Sequence, residues 1–223
     1  MDNNCFLIVT GGNLSELFIR EFVEHRRLQG IICVDGALAL VDKMKLSIDY
    51  LVGDFDTVSS ELIAMYRQRI KIGEIKTKIY EYHPEKDETD TQIAISLALK
   101  LGAKEICVMG AIGTRMDHVL ANIHLLLQPL EKKVYAYILD EHNRIYLKNN
   151  SFCLEKDKMY GTYLSLIPLG GNVEAVTLTG FKYNTDSIDF LLENSFGISN
   201  ELLLEKGQVS FRNGTFIVIE AND

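Results

Sequence analysis

Down to about residue 140, short apolar runs alternate with segments whose apolar residues recur at helical spacing, and this restricts the chain's first part to one class of architecture. Residues 5–10, 31–34, 48–52, 76–82, 105–109 and 134–139 read as strands, and helices are expected near 15–27, 37–44, 59–69, 89–100 and 116–127, the last ending near Pro129. Leu17, Phe18, Phe22 and Val23 supply an apolar face to the first helix, and Ile93, Leu97 and Leu101 to the fourth. Asn13 with Glu16, and Thr89 with Gln92, have the spacing of a helix start. Such alternation means a mostly parallel sheet with helices on both faces. Past residue 145 the texture changes to short apolar runs at 163–167, 173–178, 208–212 and 215–219, separated by glycine and asparagine. Asn213-Gly214 is a two-residue hairpin signal. A small all-β sandwich is therefore expected over 146–223, after an α/β domain over 1–145.

The alternation also orders the chemistry. Leu51-Val52-Gly53-Asp54-Phe55-Asp56-Thr57 is a strand running into a tight turn with two carboxylates one residue apart. In open α/β sheets the carboxyl edge of the strands is where ligands bind. If the strand conformation persists through the turn, Asp54 and Asp56 project to one side. Asp35 follows the second strand, Asp87 and Asp90 the fourth, and Arg115, Asp117 and His118 the fifth. Each alone has an ordinary explanation as a turn former or a helix start. A parallel sheet, however, brings all these turns to one edge, where so many carboxylates repel unless a cation lies between them. Lys86 and Arg115 sit in two of the same loops and suit phosphate oxygens. Gly110, Gly113 and the following helix start offer backbone N–H groups to a phosphate. The glycine spacing is not that of a P-loop. His118 and Asn122, four apart, share a helix face.

Composition removes other classes. With 223 residues and 47% apolar content the chain can bury the core of one large or two small domains. A formal charge of −8 argues against a nucleic-acid partner, which needs a basic face. No apolar run reaches the roughly 18 residues that span a bilayer, which argues against a membrane partner. Met1-Asp2-Asn3-Asn4 lacks the basic start of a signal peptide, so a cytoplasmic location is the expectation. Cys5, Cys33 and Cys107 lie in strand-like runs, no C-x-x-C pair exists, and buried structural thiols are expected.

Five segments, taken in order, resemble the thiamine pyrophosphokinase (thiamin diphosphokinase) family over essentially the whole chain. They are Asp35-Gly36-Ala37, Gly53-Asp54-Phe55-Asp56-Thr57, Lys86-Asp87-x-Thr89-Asp90, Gly110-Ala111-x-Gly113-x-Arg115-x-Asp117-His118-x-x-Ala121-Asn122, and Gly197-Ile198-Ser199-Asn200-Glu201. Tyr137-Ile138-Leu139-Asp140 resembles the strand closing the family's first domain. The resemblance implies an α/β plus all-β fold, with an N-terminal Rossmann-like sheet and a C-terminal β-sandwich. It implies a cytosolic homodimer with a shared site, transferring a diphosphoryl group from ATP to thiamine to give thiamine diphosphate and AMP. It assigns magnesium to Asp35, Asp54, Asp56 and Asp90. Lys86, Asp87, Thr89, Arg115, Asp117, His118 and Asn122 fall to the nucleotide and phosphates, and Ser199 and Asn200 to thiamine. Catalysis falls to Asp54, Asp56, Asp90, Lys86 and Arg115. Threonine stands at 57 where many relatives carry serine. Some members stack an indole on thiamine, and this chain has no tryptophan.

A primary alcohol is a poor nucleophile at neutral pH, so a carboxylate must take its proton, and Asp54 and Asp90 are both candidates. Asp54-x-Asp56-Thr57 also matches the first motif of haloacid dehalogenase phosphatases, although that motif follows the first strand and this one the third. A pterin diphosphokinase and a nucleotide- or thiamine-binding protein with a dead site are the other readings.

Overall fold

The computed structural model describes residues 5–83, 85 and 87–223. The chain forms two compact units, Met1–Glu141 and His142–Asp223.

In the first unit β1 (Cys5–Val9), β2 (Leu28–Val34), β3 (Tyr50–Gly53), β4 (Lys78–Glu81), β5 (Glu105–Met109) and β6 (Tyr135–Leu139) lie in the order β6-β5-β1-β2-β3-β4. Every pairing is parallel. All of β1 is buried, as befits a strand covered on both faces. The helices are α1 (Glu16–His25), α2 (Leu38–Lys43), α3 (Ser60–Lys71), α4 (Asp90–Lys100), α5 (Met116–Leu125) and α6 (Leu127–Glu131). The chain steps from β1 to β4 in one direction and from β5 to β6 in the other, so the order reverses between β1 and β5. Right-handed connections then require α1 to α3 on one face and α5 on the other.

The helix α4 packs on β1, β2 and β3 and also on α5 and α6. It is consequently buried on several sides, through Thr91, Ile93, Ala94, Ile95 and Ala98, and the single face expected from Ile93, Leu97 and Leu101 is too narrow. Thr89 caps it, accepting the Gln92 N–H at 3.2 Å. The reciprocal half of the capping box is missing because the Gln92 amide donates to Glu88 instead, at 3.0 Å. Ser15, not Asn13, caps α1. Ile19 is its buried residue, with Phe22 and Val23 three and four positions on, and Leu17 lies off this stripe at 66% exposure. Pro129 lies in the first turn of α6, a short second helix that starts at Leu127, where an end was expected; in a first turn its missing N–H leaves no bond unmade.

The second unit holds β7 (Asn143–Lys148), β8 (Phe152–Glu155), β9 (Tyr163–Pro168), β10 (Val173–Thr179), β11 (Thr185–Phe190), β12 (Asn200–Glu201), β13 (Lys206–Ser210) and β14 (Phe216–Ala221). They pair antiparallel as β12-β9-β14-β7 and as β11-β10-β13-β8. Phe190 of one sheet meets Phe216 of the other edge to face, centroids 5.5 Å apart, so the sheets form a sandwich. Asn213-Gly214 is not a hairpin turn. It carries the chain from β13 in one sheet to β14 in the other, and Pro168-Leu169-Gly170-Gly171 does the same from β9 to β10. Asn213 is instead bridged to Glu174, whose N–H donates to the Asn213 carbonyl at 2.9 Å. Crossing between sheets lets Val209 and Phe216 bury against one core from opposite sides. Among the described residues no helix is long and apolar enough to cross a membrane.

Candidate functional site

The reversal of strand order leaves a crevice beyond the carboxyl ends of β1 and β5. A cleft of about 590 Å³ opens there, lined by the loops after β1, β2, β3 and β5 and by the start of α4. Its floor is two loops bonded to each other. The Gly12 N–H donates to the Gly110 carbonyl at 2.8 Å and the Asn13 N–H to the Ile112 carbonyl at 2.7 Å. A Cβ on Gly12 would run into both carbonyls, so only glycine allows this approach. From α5, the Asn122 amide donates to the Ala111 carbonyl at 2.9 Å and holds the second loop. The buried hydroxyls of Thr10 and Thr91, 3.2 Å apart, tie the end of β1 to α4. Thr10, Gly11, Gly12 and Glu88 also line the cleft and were not among the residues expected there. The Gly11-Gly12 pair directly after a strand was the available signal.

Three carboxylates meet at one wall. Asp35 begins the turn after β2, Asp54 follows β3, and Asp90 opens α4. Each offers an oxygen within 4.8 Å of the others. Asp90 reaches this point because α4 crosses back over β1 to β3 on its way to β5. Asp35 is 6% exposed. Its Oδ2 accepts the Thr57 hydroxyl at 2.5 Å, while its buried Oδ1 has no hydrogen-bond partner. Burial pushes the Asp35 carboxyl above the usual range; the Thr57 hydroxyl pulls it down, and Asp54, Asp90 and Asp56 push it further up.

Asp56 stands apart. The strand conformation ends at Gly53, and Phe55 takes φ +61 with its side chain buried at 8% exposure. A left-handed phenylalanine costs on the order of 1 kcal/mol and breaks the alternation that would have aligned the two aspartates. The Asp56 N–H donates to Asp54 Oδ1 at 3.2 Å, and Asp56 is exposed, outside both the cleft lining and the three-carboxylate cluster. The carboxylate of Asp54 beside it pushes the Asp56 carboxyl upward.

Asp87, Thr89, Arg115, His118 and Asn122 line the cleft. Asp117 does not. It faces solvent in a fork with Arg115, with Nη2 to Oδ2 at 2.5 Å and Nε to Oδ1 at 3.2 Å, and that guanidinium holds its carboxyl down to about 2. Lys86 lies outside the described residues. Ser199 and Asn200 belong to the second unit. Ser199 is exposed with φ +54, and its N–H donates to the Ser165 hydroxyl at 3.0 Å. Asn200 is buried, and its side chain is engaged inside the protein. Its Oδ1 accepts the N–H groups of Tyr183 and Glu201 at 3.0 and 2.9 Å, and its Nδ2 donates to the Tyr183 carbonyl at 2.8 Å. Tyr183 itself is 59% exposed, with Lys182 Nζ 5.7 Å from its ring centroid.

The donor set is oxygen only and strongly acidic, and it includes one buried carboxylate oxygen without a partner. It fits a hard divalent cation such as magnesium, whose remaining positions go to water and phosphate. Beside it, Arg115 and the glycine loops offer positive charge and backbone N–H groups to an anion.

Both units are similar to known proteins. Residues 23–138 match the family model described as thiamin pyrophosphokinase, catalytic domain, and residues 149–216 match thiamin pyrophosphokinase, vitamin B1 binding domain. Thiamine pyrophosphokinase of Bacillus subtilis (strain 168) is 31% identical over 189 residues, 84% of this chain and 85% of the relative. The crystal structure of thiamine pyrophosphokinase from Bacillus subtilis superposes with a TM-score of 0.83 at 29% identity, covering 98% of this chain and 99% of that one. That of a thiamin pyrophosphokinase family protein from Enterococcus faecalis does so with a TM-score of 0.79 at 27% identity, covering 99% of each.

Proposed function

The chain belongs to the thiamin pyrophosphokinase family, and from that membership we propose how its own residues divide the reaction. The enzyme transfers a diphosphoryl group from ATP to the hydroxyl of thiamine, giving thiamine diphosphate and AMP. One observation carries the residue assignment: Asp35, Asp54 and Asp90 each bring an oxygen to one point in the cleft, and Asp35 carries a buried oxygen without a hydrogen-bond partner. These three would hold magnesium, which when bound neutralises phosphate oxygens and the charge that builds on them. Asp56 supports Asp54 from outside the cluster. Asp87, Thr89 and His118 border the nucleotide, and Asn122 keeps the Gly110–Gly113 loop in place against the phosphates. Lys86 and Arg115 supply positive charge to the transferred group, and Asp117 orients the Arg115 guanidinium through its fork.

As the hydroxyl oxygen of thiamine bonds to the β-phosphorus, the bond from that phosphorus to the AMP oxygen breaks, and the hydroxyl proton passes to a carboxylate. Asp35 is buried with Oδ2 engaged, so the proton falls to Asp54 or Asp90. Thiamine is held by the second unit. Asn200 acts there as a clamp on the Tyr183 backbone, Ser199 offers its hydroxyl beside it, and the Tyr183 ring takes the place of an indole under the cationic thiazolium. Exposed Leu192, Phe196, Ile198, Leu203 and Leu204 in that unit support a homodimer with a shared site, to be checked as a solution mass of twice 25.2 kDa.

With ATP, magnesium and thiamine, AMP and thiamine diphosphate should appear in equal amounts. ADP with thiamine monophosphate, phosphate released without thiamine, or turnover only with a pterin alcohol would each overturn the reading. In the same assay Tyr183→Ala should raise the KM for thiamine about tenfold, the worth of one partly desolvated cation–π contact, with the KM for ATP unchanged. An unchanged thiamine KM removes Tyr183 from the site.

A further inference from the structure

Asp35 is confined from two sides by residues of the neighbouring strand and its turn. Gly53, at the end of β3, faces it so closely that a Cβ there would stand 2.6 Å from the Asp35 Cβ. The aspartate side chain therefore occupies the space that any other residue at 53 would fill. Past the turn, the Thr57 hydroxyl donates to Oδ2 at 2.5 Å. A carboxylate turns about its Cβ–Cγ bond, and fixing one oxygen fixes the other. Here the fixed arrangement leaves Oδ1 buried and without a hydrogen-bond partner, on a carboxylate that offers an oxygen within 4.8 Å of ligand oxygens of Asp54 and Asp90. Thr57 lines the same cleft, and its β-branch restricts χ1, so the donor is itself held in few rotamers.

We propose that Thr57 is a positioning residue, whose hydroxyl locks the Asp35 carboxylate with Oδ2 satisfied and Oδ1 presented to the cation. The inference rests on the magnesium reading above and adds to it the group that orients a ligand. Partners of this kind, hydrogen-bonded to a metal-binding carboxylate, typically govern affinity by 10- to 100-fold.

The test is Mn²⁺ binding to the full chain without nucleotide, followed by the paramagnetic signal of free Mn²⁺, alongside the dependence of turnover on Mg²⁺. Thr57→Val should weaken Mn²⁺ binding by about 10- to 100-fold. It should shift half-saturating Mg²⁺ upward by a similar factor, with turnover recovered at high Mg²⁺. Thr57→Ser, which keeps the donor, should stay within about threefold of the parent. Thr57→Ala, smaller and without a donor, should behave as the valine variant does and covers the case in which valine does not fold. Parent-like Mn²⁺ affinity in the valine or alanine variant overturns the proposal, as does a raised KM for ATP at unchanged metal affinity, which would make Thr57 a nucleotide contact. If the parent itself binds Mn²⁺ no better than Asp54→Asn does, the cation reading fails, and this inference with it.

Discussion

Asp54→Asn should cost about a thousandfold in turnover while the folded protein becomes more stable in metal-free buffer. The loss follows from removing one of three converging oxygens that would hold the ion at the transferred group, where each well-placed electrostatic partner is worth roughly 10²–10³ in rate. The gain has the opposite cause. Without a cation, three carboxylates within 4.8 Å repel, and neutralising the half-buried one relieves on the order of 1 kcal/mol after solvent screening. The pH dependence carries the same signature. Burial, Asp54, Asp90 and Asp56 raise the folded carboxyl of Asp35 above its unfolded value. A raised carboxyl means that the folded state binds more protons, so this contribution to stability is present at low pH. It is lost as pH rises through the ordinary carboxylate range to the raised value. Melting curves in chelator should therefore fall across that window, and Asp54→Asn should flatten the fall. Magnesium should raise the melting point of the parent above the window and not that of the variant. Full turnover in Asp54→Asn, or a melting point independent of magnesium in the parent, would refute the assignment.

The second large effect lies in the sandwich. Glu220 is fully buried, on the inward side of β14, directly across from Arg144 of β7. Its Oε2 accepts from Arg144 Nη2 at 2.5 Å and from the Tyr160 N–H at 2.7 Å, and Oε1 accepts the Tyr146 hydroxyl at 2.8 Å. Arg144→Leu removes the positive partner and leaves the carboxylate inside. Breaking a buried pair from one side costs about 3–5 kcal/mol. For a chain of this size that is a fall of roughly 6–20 °C in melting temperature. Replacing both residues by leucine should recover most of it, because no charge then remains buried. Thermal melts of the two variants against the parent decide the matter; a double variant as unstable as Arg144→Leu would show that the pair's hydrogen bonds, not its charge balance, hold that end of the sandwich.

Local chemistry was legible in the sequence. Strand and helix types follow from short apolar runs and from a period of 3.6, which need no partner to be read. Thr89 at the start of α4, and the aspartates just past β2 and β3, follow from spacing alone. Because parallel strands all present the same end, their turns had to share an edge, and the site's location came with the alternation.

Other features needed the fold. Leu17 and Ile19 are both apolar and close in the chain; the packing of α1 determined which is buried. Asp54 and Asp56 read alike, and the left-handed backbone at Phe55 separated them. Asn213-Gly214 suits a hairpin, and the need to bury Phe216 and Val209 from two sheets made it a crossing. Glu220 ends an apolar run, where a carboxylate reads as the solvated end of a strand, yet β14 continues to Ala221 and the pairing with Arg144 brings that carboxylate inside. Thr57 and Asp35 stand 22 residues apart, in the turns that follow adjacent strands. The sequence by itself determined which elements form and which edge carries the carboxylates, since those depend on neighbours in the chain. Only the tertiary structure decided which oxygens converge and which side chains hold them, because those contacts join residues that the sheet, not the chain, makes neighbours.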